Sequence, residues 1–269
     1  MLTAAEKAPE LEQTEKFGRT NRIERLDFLR GLAIIYVVFY HLVFDIVYIL
    51  GKDVPFWGTD WFEGIHTAFL LILFGVSGIC TGFSRNIIKR GAMLFLCGEA
   101  LTIFTEIFVS DMHIIFGVLS FFGVMMMVTG FIRPLLDKLG YVQSFILCGA
   151  MVLLFIIFSD FSSKEELNLI FCRIPLALPN DKEFLYPVGI TAKGFYSSDY
   201  FPLIPWGFAY LAGAALSKAV ADRKLPKVLY SRIKAAPINF AGRNSLWIYI
   251  IHQPVFLGAV MLIAELTGN

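Results

Sequence analysis

The side chains of this 269-residue sequence that could move protons lie inside its apolar segments. His41 and Asp45 are four positions apart within the apolar run 28–50, so a helix places them on one face, one turn apart. A carboxylate in that position can keep one imidazole nitrogen protonated while the other accepts a proton from a nucleophile. The alternative is a packing pair, in which the carboxylate only satisfies a buried histidine. Because a charge at the bilayer centre costs at least about 2.5 kcal/mol, we predict that the pair is catalytic.

The third catalytic candidate is His252, which is followed by Gln253 and Pro254 in the last apolar run. Proline has no N–H, so the carbonyl one turn earlier, near Ile250, loses its helical partner and the helix opens locally. Polar side chains beside such a defect can line a cavity. The alternative, which remains open here, is that they only hydrogen-bond one helix to another.

Other polar residues lie at or near the predicted outer ends of the apolar runs. We interpret four of them as acceptor-binding residues: His66, Glu106, His113 and Asp199. Glu99, two turns before Glu106, fits better a neutral carboxyl group that is hydrogen-bonded to a neighbouring helix. No helix carries an HxxxH or HxxE spacing and no cysteine ligands lie near the histidines, so we predict no metal site.

Basic and polar residues at the opposite helix ends predict a phosphate site. Positive side chains and helix N-termini together bind phosphate groups well. The general excess of lysine and arginine on the cytoplasmic side of membrane proteins is the alternative explanation. The candidates for binding a phosphorylated donor are Arg30, Arg85, Arg90, Arg243, Asn244 and Ser245.

The composition shows what kind of element must position these residues. The chain is 57% hydrophobic and 17% charged, with a mean hydropathy of +0.68 and a formal net charge of +1. This excludes a soluble enzyme, a disordered chain and a disulfide-stapled secreted domain, and it gives no reason to expect a nucleic-acid partner. We interpret the four cysteines as small buried hydrophobic residues.

A spanning helix needs about 20 apolar residues, and seven segments meet that requirement. The fold class predicted is therefore all-α, a polytopic membrane protein with a bundle of about seven transmembrane helices. The segments are 28–50, 64–84, 91–110, 112–132, 139–159, 200–217 and 244–264.

The basic residues predict the orientation of these helices. With alternating crossings, 18 of the 23 lysines and arginines fall on one side, which places the N-terminus inside and the C-terminus outside. Residues 1–21 are polar and charge-mixed, so we predict a disordered cytoplasmic tail. The rest, 22–264, forms one transmembrane domain. Its long external segment, 160–199, is predicted to cap a site, because long structureless loops are uncommon unless they are functional.

Several motifs in order along residues 22 to about 260 resemble the heparan-α-glucosaminide N-acetyltransferase catalytic-domain family. They are Arg25–Gly31 with Phe39-Tyr40-His41, Leu73–Gly78, Phe116–Leu119, Asp199–Trp206, Gly242–Leu246 and Tyr249 with His252-Gln253-Pro254. A family histidine that is expected in the loop after the first helix has no counterpart, and Lys52 falls at about that place.

The resemblance implies a transmembrane acyltransferase that takes acetyl-CoA from the cytoplasm and delivers the acetyl group to a sugar or glycan on the extracytoplasmic side. The predicted partners are thus acetyl-CoA, the acceptor and membrane lipids, and small-residue stripes would also allow a homodimer. The expected location is the bacterial cytoplasmic membrane. The alternative is a proton-coupled transporter with the same buried titratable groups, although the sequence lacks the repeated pair of broken helices that is typical of transporters.

Overall fold

The computed structural model describes residues 22–108, 113–169, 171–179 and 183–267. It is 70% helical with almost no strand, which confirms the predicted all-α class. The predicted cytoplasmic tail, residues 1–21, lies outside the described residues.

Among the described residues, six helices are long and apolar enough to cross a membrane. The fifth continues through a short turn into a four-residue helix, so that its candidate span reaches Lys164. The helices are α1 (Glu24–Tyr48), α2 (Asp60–Thr81), α3 (Ile87–Phe108), α4 (Val118–Leu136), α5 (Tyr141–Ile157) with its extension α6 (Phe161–Lys164), and α7 (Leu203–Ala221).

The seventh predicted crossing coincides with the last helix of the chain. After a short α8 (Ala236–Arg243), α9 covers Ser245–Thr267, and its described apolar stretch, Ser245–Val260, is shorter than the other six spans. Pro254 lies inside α9, as the sequence predicts.

The long segment after α5 contains several short elements. Strands β1 (Glu166–Asn168) and β2 (Arg173–Pro175) form an antiparallel hairpin, in which Leu167 pairs with Ile174. A 3₁₀ helix at Glu183–Val188 follows. The prediction that this segment caps a site stays a prediction.

The described chain divides into two compact units. The first consists of the described residues of Met1–Thr59 and Pro226–Asn269, and the second is Asp60–Leu225. The expectation of one domain over 22–264 is not tested by this division.

In the first unit, α1 and α8 cross at two glycines. A Cβ atom at Gly31 would overlap the carbonyl oxygen of Ile238, and one at Gly242 would overlap the carbonyl oxygen of Asp27. The two backbones are thus in direct contact. Arg25 adds a side-chain link from α1, because its Nε and Nη2 atoms donate to Ser231 Oγ at 2.9 and 2.7 Å.

In the second unit, α2 and α7 cross in the same way. A Cβ atom at Gly78 would overlap the carbonyl oxygen of Tyr210, and Gly213 is equally close to Gly75. Small residues allow this approach in membrane helices, where van der Waals contact replaces the hydrophobic driving force. Large side chains surround the crossing, with Phe74 and Phe121 fully buried at a ring separation of 4.8 Å.

The cysteines do not all lie where the sequence predicts. All four are free, but Cys97 and Cys172 are exposed while Cys80 and Cys148 are half-buried. The prediction that all four are buried is therefore wrong. Cys97 lies on a surface of α3 that a membrane would cover with lipid, and an apolar helix pattern cannot distinguish that surface from a protein-facing one.

Candidate active site

The three predicted catalytic residues lie together in the first unit. His41 and Asp45 come from α1, and His252 comes from α9. The His41 and His252 ring centroids are 5.0 Å apart with the ring planes tilted by 60°. Asp45 is completely buried and His252 is 7% exposed. Two imidazoles and a carboxyl group are thus gathered within helices that are otherwise almost entirely apolar.

The tautomer of His252 follows from its own helix. His252 Nδ1 lies 2.6 Å from the carbonyl oxygen of Tyr249. A carbonyl only accepts hydrogen bonds, so Nδ1 carries the proton and Nε2 carries the lone pair when the ring is neutral. A histidine held in this state is prepared to accept a proton through Nε2.

Asp45 is hydrogen-bonded to Gln253, which the sequence analysis did not predict as its partner. Gln253 Nε2 donates to Asp45 Oδ1 at 3.2 Å and so links α9 to α1. Within the described residues, no hydrogen bond joins Asp45 to His41, although the two are one helical turn apart. The sequence marks Gln253 as a polar residue beside Pro254, but not as the partner of Asp45. What the sequence lacked was the rotation of α9 against α1.

Aromatic rings surround the C-terminal part of α1 next to His41. The ring of Tyr40 meets His41 edge-on at 6.2 Å and lies 5.0 Å from Trp57, which also contacts Phe44 at 6.0 Å. Trp57 is positioned by a turn with Pro55 at its second position, closed by the hydrogen bond from Trp57 N to Val54 O. Sequence reasoning missed Trp57, since only the turn returns it to the helix.

The donor-site candidates of the first unit lie around the α1–α8 crossing and the start of α9. Arg30 adjoins Gly31, and its buried Nε has no hydrogen-bond partner among the described residues. Arg243 adjoins Gly242, is exposed, and donates from Nε to Asn239 O at 3.2 Å. Asn244 donates to Phe240 O at 2.9 Å where α8 meets α9, and Ser245 is the first residue of α9.

The other two donor-site candidates lie in the second unit, Arg85 between α2 and α3 and Arg90 in the first turn of α3. Arg85 and Arg90 are both exposed, and Arg90 Nη1 reaches Ser84 Oγ at 3.4 Å. Beside them is an open cavity of about 590 Å³ lined by Ser84, Asn86, Ile87, Ile88, Lys89 and Arg133.

Comparison with known protein families identifies the chain. The family model described as heparan-alpha-glucosaminide N-acetyltransferase, catalytic, matches residues 22–254. The chain belongs to this family. The match covers most of the sequence and ends at Pro254. It therefore includes His41, Asp45, His252 and Gln253. It confirms the resemblance that the motifs indicated, and the protein is an integral membrane protein of an acetyltransferase family. Comparisons with curated proteins and with solved structures found no match.

Two of the four acceptor-site candidates meet at one segment, residues 196–201, which contains Asp199 and contacts His113. His113 Nε2 is 2.8 Å from Tyr196 O, and Ser198 N donates to His113 O at 3.1 Å. Asp199 is 7% exposed, and its Oδ2 accepts the N–H of Val118 at 3.2 Å. His66 is half-buried on α2, and Glu106 is exposed on α3.

Asp199 acts as a helix cap supplied from a distant part of the chain. The residue before α4 is Gly117, which has no side chain to accept the first N–H groups of the helix. A Cβ atom at Gly117 would come within 2.8 Å of Asp199 Oδ2, so the glycine makes room for this carboxylate. The negative charge also faces the positive end of the α4 dipole.

Replacing Asp199 by alanine is expected to lower the unfolding free energy by about 0.5–2 kcal/mol, the usual loss for a helix cap. Asn is itself a good capping residue, so Asp199→Asn should retain most of the stability. Thermal unfolding in detergent micelles would measure both variants. A stable Asp199→Ala variant with a raised acceptor KM would instead assign Asp199 to the acceptor site.

Glu99 behaves as the sequence predicts for a carboxyl group between helices. Ser120 is fully buried on α4, and its hydroxyl donates to Glu99 Oε1 at 2.9 Å across the α3–α4 contact.

Within the described part of the chain, no group of three histidine, cysteine or acidic side chains is arranged to hold a metal ion.

Proposed function

We propose that this protein transfers the acetyl group of acetyl-CoA across the membrane to a sugar or glycan acceptor, with a histidine as the general base. The observation that carries the proposal is the His41–His252 pair, with its rings 5.0 Å apart on two apolar helices of a chain from an acetyltransferase family. Histidines are rare and costly at such positions unless they serve a function.

The chemistry needs one base and one path for the proton. The acceptor hydroxyl or amine attacks the thioester carbonyl while an imidazole of the pair takes its proton. The tetrahedral intermediate then collapses, the C–S bond breaks, and the proton passes to the departing thiolate. The products are the acetylated acceptor and CoA-SH. The lone pair on His252 Nε2 supports a role for this ring in the first step.

The donor's phosphates are proposed to bind Arg30 and Arg243 in the first unit; Arg85 and Arg90 in the second unit are a separate candidate pair. Asn244 and Ser245 would contribute at the start of α9. Arginine suits phosphate because its planar fork donates two parallel hydrogen bonds. The buried Nε of Arg30 supports this assignment, because a donor without a partner is costly unless a ligand satisfies it.

A sugar or glycan acceptor is supported by the aromatic rings beside His41. The apolar C–H faces of sugar rings pack against aromatic side chains, and Tyr40 and Trp57 lie 5.0 Å apart next to the proposed base. In the second unit, His66, Glu106 and His113 are separately proposed as acceptor-binding residues. The proposed setting is the bacterial cytoplasmic membrane, with the N-terminus in the cytoplasm and the C-terminus outside.

Acetyl-CoA is expected to stabilise the purified protein in a concentration-dependent way. At about 100 times its Kd a ligand adds about 2.7 kcal/mol to the unfolding free energy, which a thermal shift would measure. Pantetheine without the nucleotide should give a much smaller shift, and so should acetyl-CoA with the double variant Arg30→Gln/Arg243→Gln. No shift with millimolar acetyl-CoA would contradict the donor assignment.

Vesicles would test the reaction itself. With acetyl-labelled acetyl-CoA outside inverted vesicles and amino sugars or glycans inside, the label should appear on the enclosed acceptor. Uptake of acceptor without labelling would favour the proton-coupled transporter instead.

A further inference from the structure

The buried carboxyl group of Asp45 has an incomplete set of hydrogen bonds. Its Oδ1 accepts one bond, at 3.2 Å, from the amide nitrogen of Gln253. Its Oδ2 and the amide oxygen of Gln253 are both buried, and neither has a hydrogen-bond partner in the described residues. Two acceptors, one from each member of the pair, are thus left without a donor.

In the described part of the chain, no positive charge lies beside this carboxyl group. Within the described residues, no lysine, arginine or histidine nitrogen lies within 4.0 Å of an Asp45 oxygen. The histidines on the two helices packed here are His41 on α1 and His252 on α9, and the Nδ1 proton of His252 is directed to the carbonyl of Tyr249. An ionised carboxylate with one hydrogen bond and no cation is strongly disfavoured in an apolar interior.

A proton on the carboxyl group removes its negative charge and supplies the missing hydrogen-bond donor. We infer that Asp45 is a neutral carboxylic acid that donates from Oδ2 to the amide oxygen of Gln253, forming a cyclic acid–amide pair with two opposed hydrogen bonds. A protonated carboxyl offers one donor and one acceptor, and a primary amide offers the same, so the two groups match. The two atoms that lack partners then bind each other.

This pair makes Asp45 a positioning residue. Its two hydrogen bonds hold α9 against α1 next to the His41–His252 ring contact. Asp45 therefore fixes the distance between the two rings and does not orient His41 as an anion. The inference concerns the protonation of a buried pair, and it stands whether or not the protein acetylates a sugar.

The variant Asp45→Asn separates a neutral pair from an anionic one. An asparagine amide keeps both hydrogen bonds to Gln253, so we expect its kcat to remain within about fivefold of wild type, the size of one ordinary hydrogen bond. Asp45→Leu loses both bonds and should lose most of the activity. A loss of several orders of magnitude in a folded Asp45→Asn protein would show that the negative charge is needed, and would overturn the inference.

Infrared difference spectroscopy gives a readout that does not depend on activity. The wild-type minus Asp45→Asn spectrum should contain the carbonyl stretch of a protonated carboxylic acid, displaced in D₂O, while the bands of Glu99 and Glu106 cancel. The Gln253→Leu variant should shift that band because its partner is gone. A carboxylate band in its place would overturn the inference. A protonated band in a protein without acetyl transfer would contradict only the proposed function.

Discussion

Removing either imidazole of the pair is expected to lower kcat for acetyl transfer by about 10²–10⁴-fold, the usual contribution of a positioned general base. The variants are His41→Ala and His252→Ala, assayed with labelled acetyl-CoA. The donor's binding should change little, because its phosphates are proposed to contact arginines rather than these rings. Initial rates and ligand-induced thermal shifts, measured on the same preparations, separate these two effects.

Matched controls exist on the same two helices. Ile35 on α1 and Val255 on α9 are 46% and 56% exposed, so alanine at either position removes lipid-facing volume and leaves the ring contact in place. Both controls should keep wild-type rates. Full activity in the double variant His41→Ala/His252→Ala would remove the pair from the mechanism and, with it, the proposed base.

A second large effect is expected from adding one methyl group where α1 crosses α8. Gly31→Ala or Gly242→Ala forces a Cβ atom into a backbone carbonyl, which cannot move aside by changing rotamer. Overpacking typically costs about 1–3 kcal/mol, and a contact with backbone should lie at or above the upper end of that range. Far-UV circular dichroism during heating in micelles would measure the loss.

Gly149→Ala is the matched control for this prediction. Gly149 lies inside α5, and a Cβ atom there meets nothing within 4 Å. Because alanine favours helix over glycine, this variant should be neutral or more stable by up to about 1 kcal/mol. Equal unfolding temperatures for Gly31→Ala and Gly149→Ala would contradict the close crossing.

The sequence predicts the helices well because their signal is local. Long apolar runs define the spans, and a separation of four places His41 and Asp45 on one face. The same local pattern does not show which residue of another helix binds Asp45. A helix that is apolar on all sides has no stripe to show how it is rotated, so Gln253 facing Asp45 could not be derived.

Two other contacts depend on chain segments far apart in sequence. Asp199 caps α4 from 81 positions away, and its spacing from Val118 carries no recognisable motif. Trp57 reaches the side of α1 only because a turn around Pro55 reverses the chain. An acidic residue and an aromatic residue in loops are consistent with many roles, and tertiary contacts decide among them.

The backbone contact of α1 with α8 also fixes the separation of two arginine backbones. Arg30 and Arg243 are the immediate neighbours of Gly31 and Gly242, so the gap between their Cα atoms is set by main chain and not by adaptable side chains. A nucleotide whose charges must fit that gap would be selected by its length. Shorter phosphate esters should then compete poorly even when they carry the same charge.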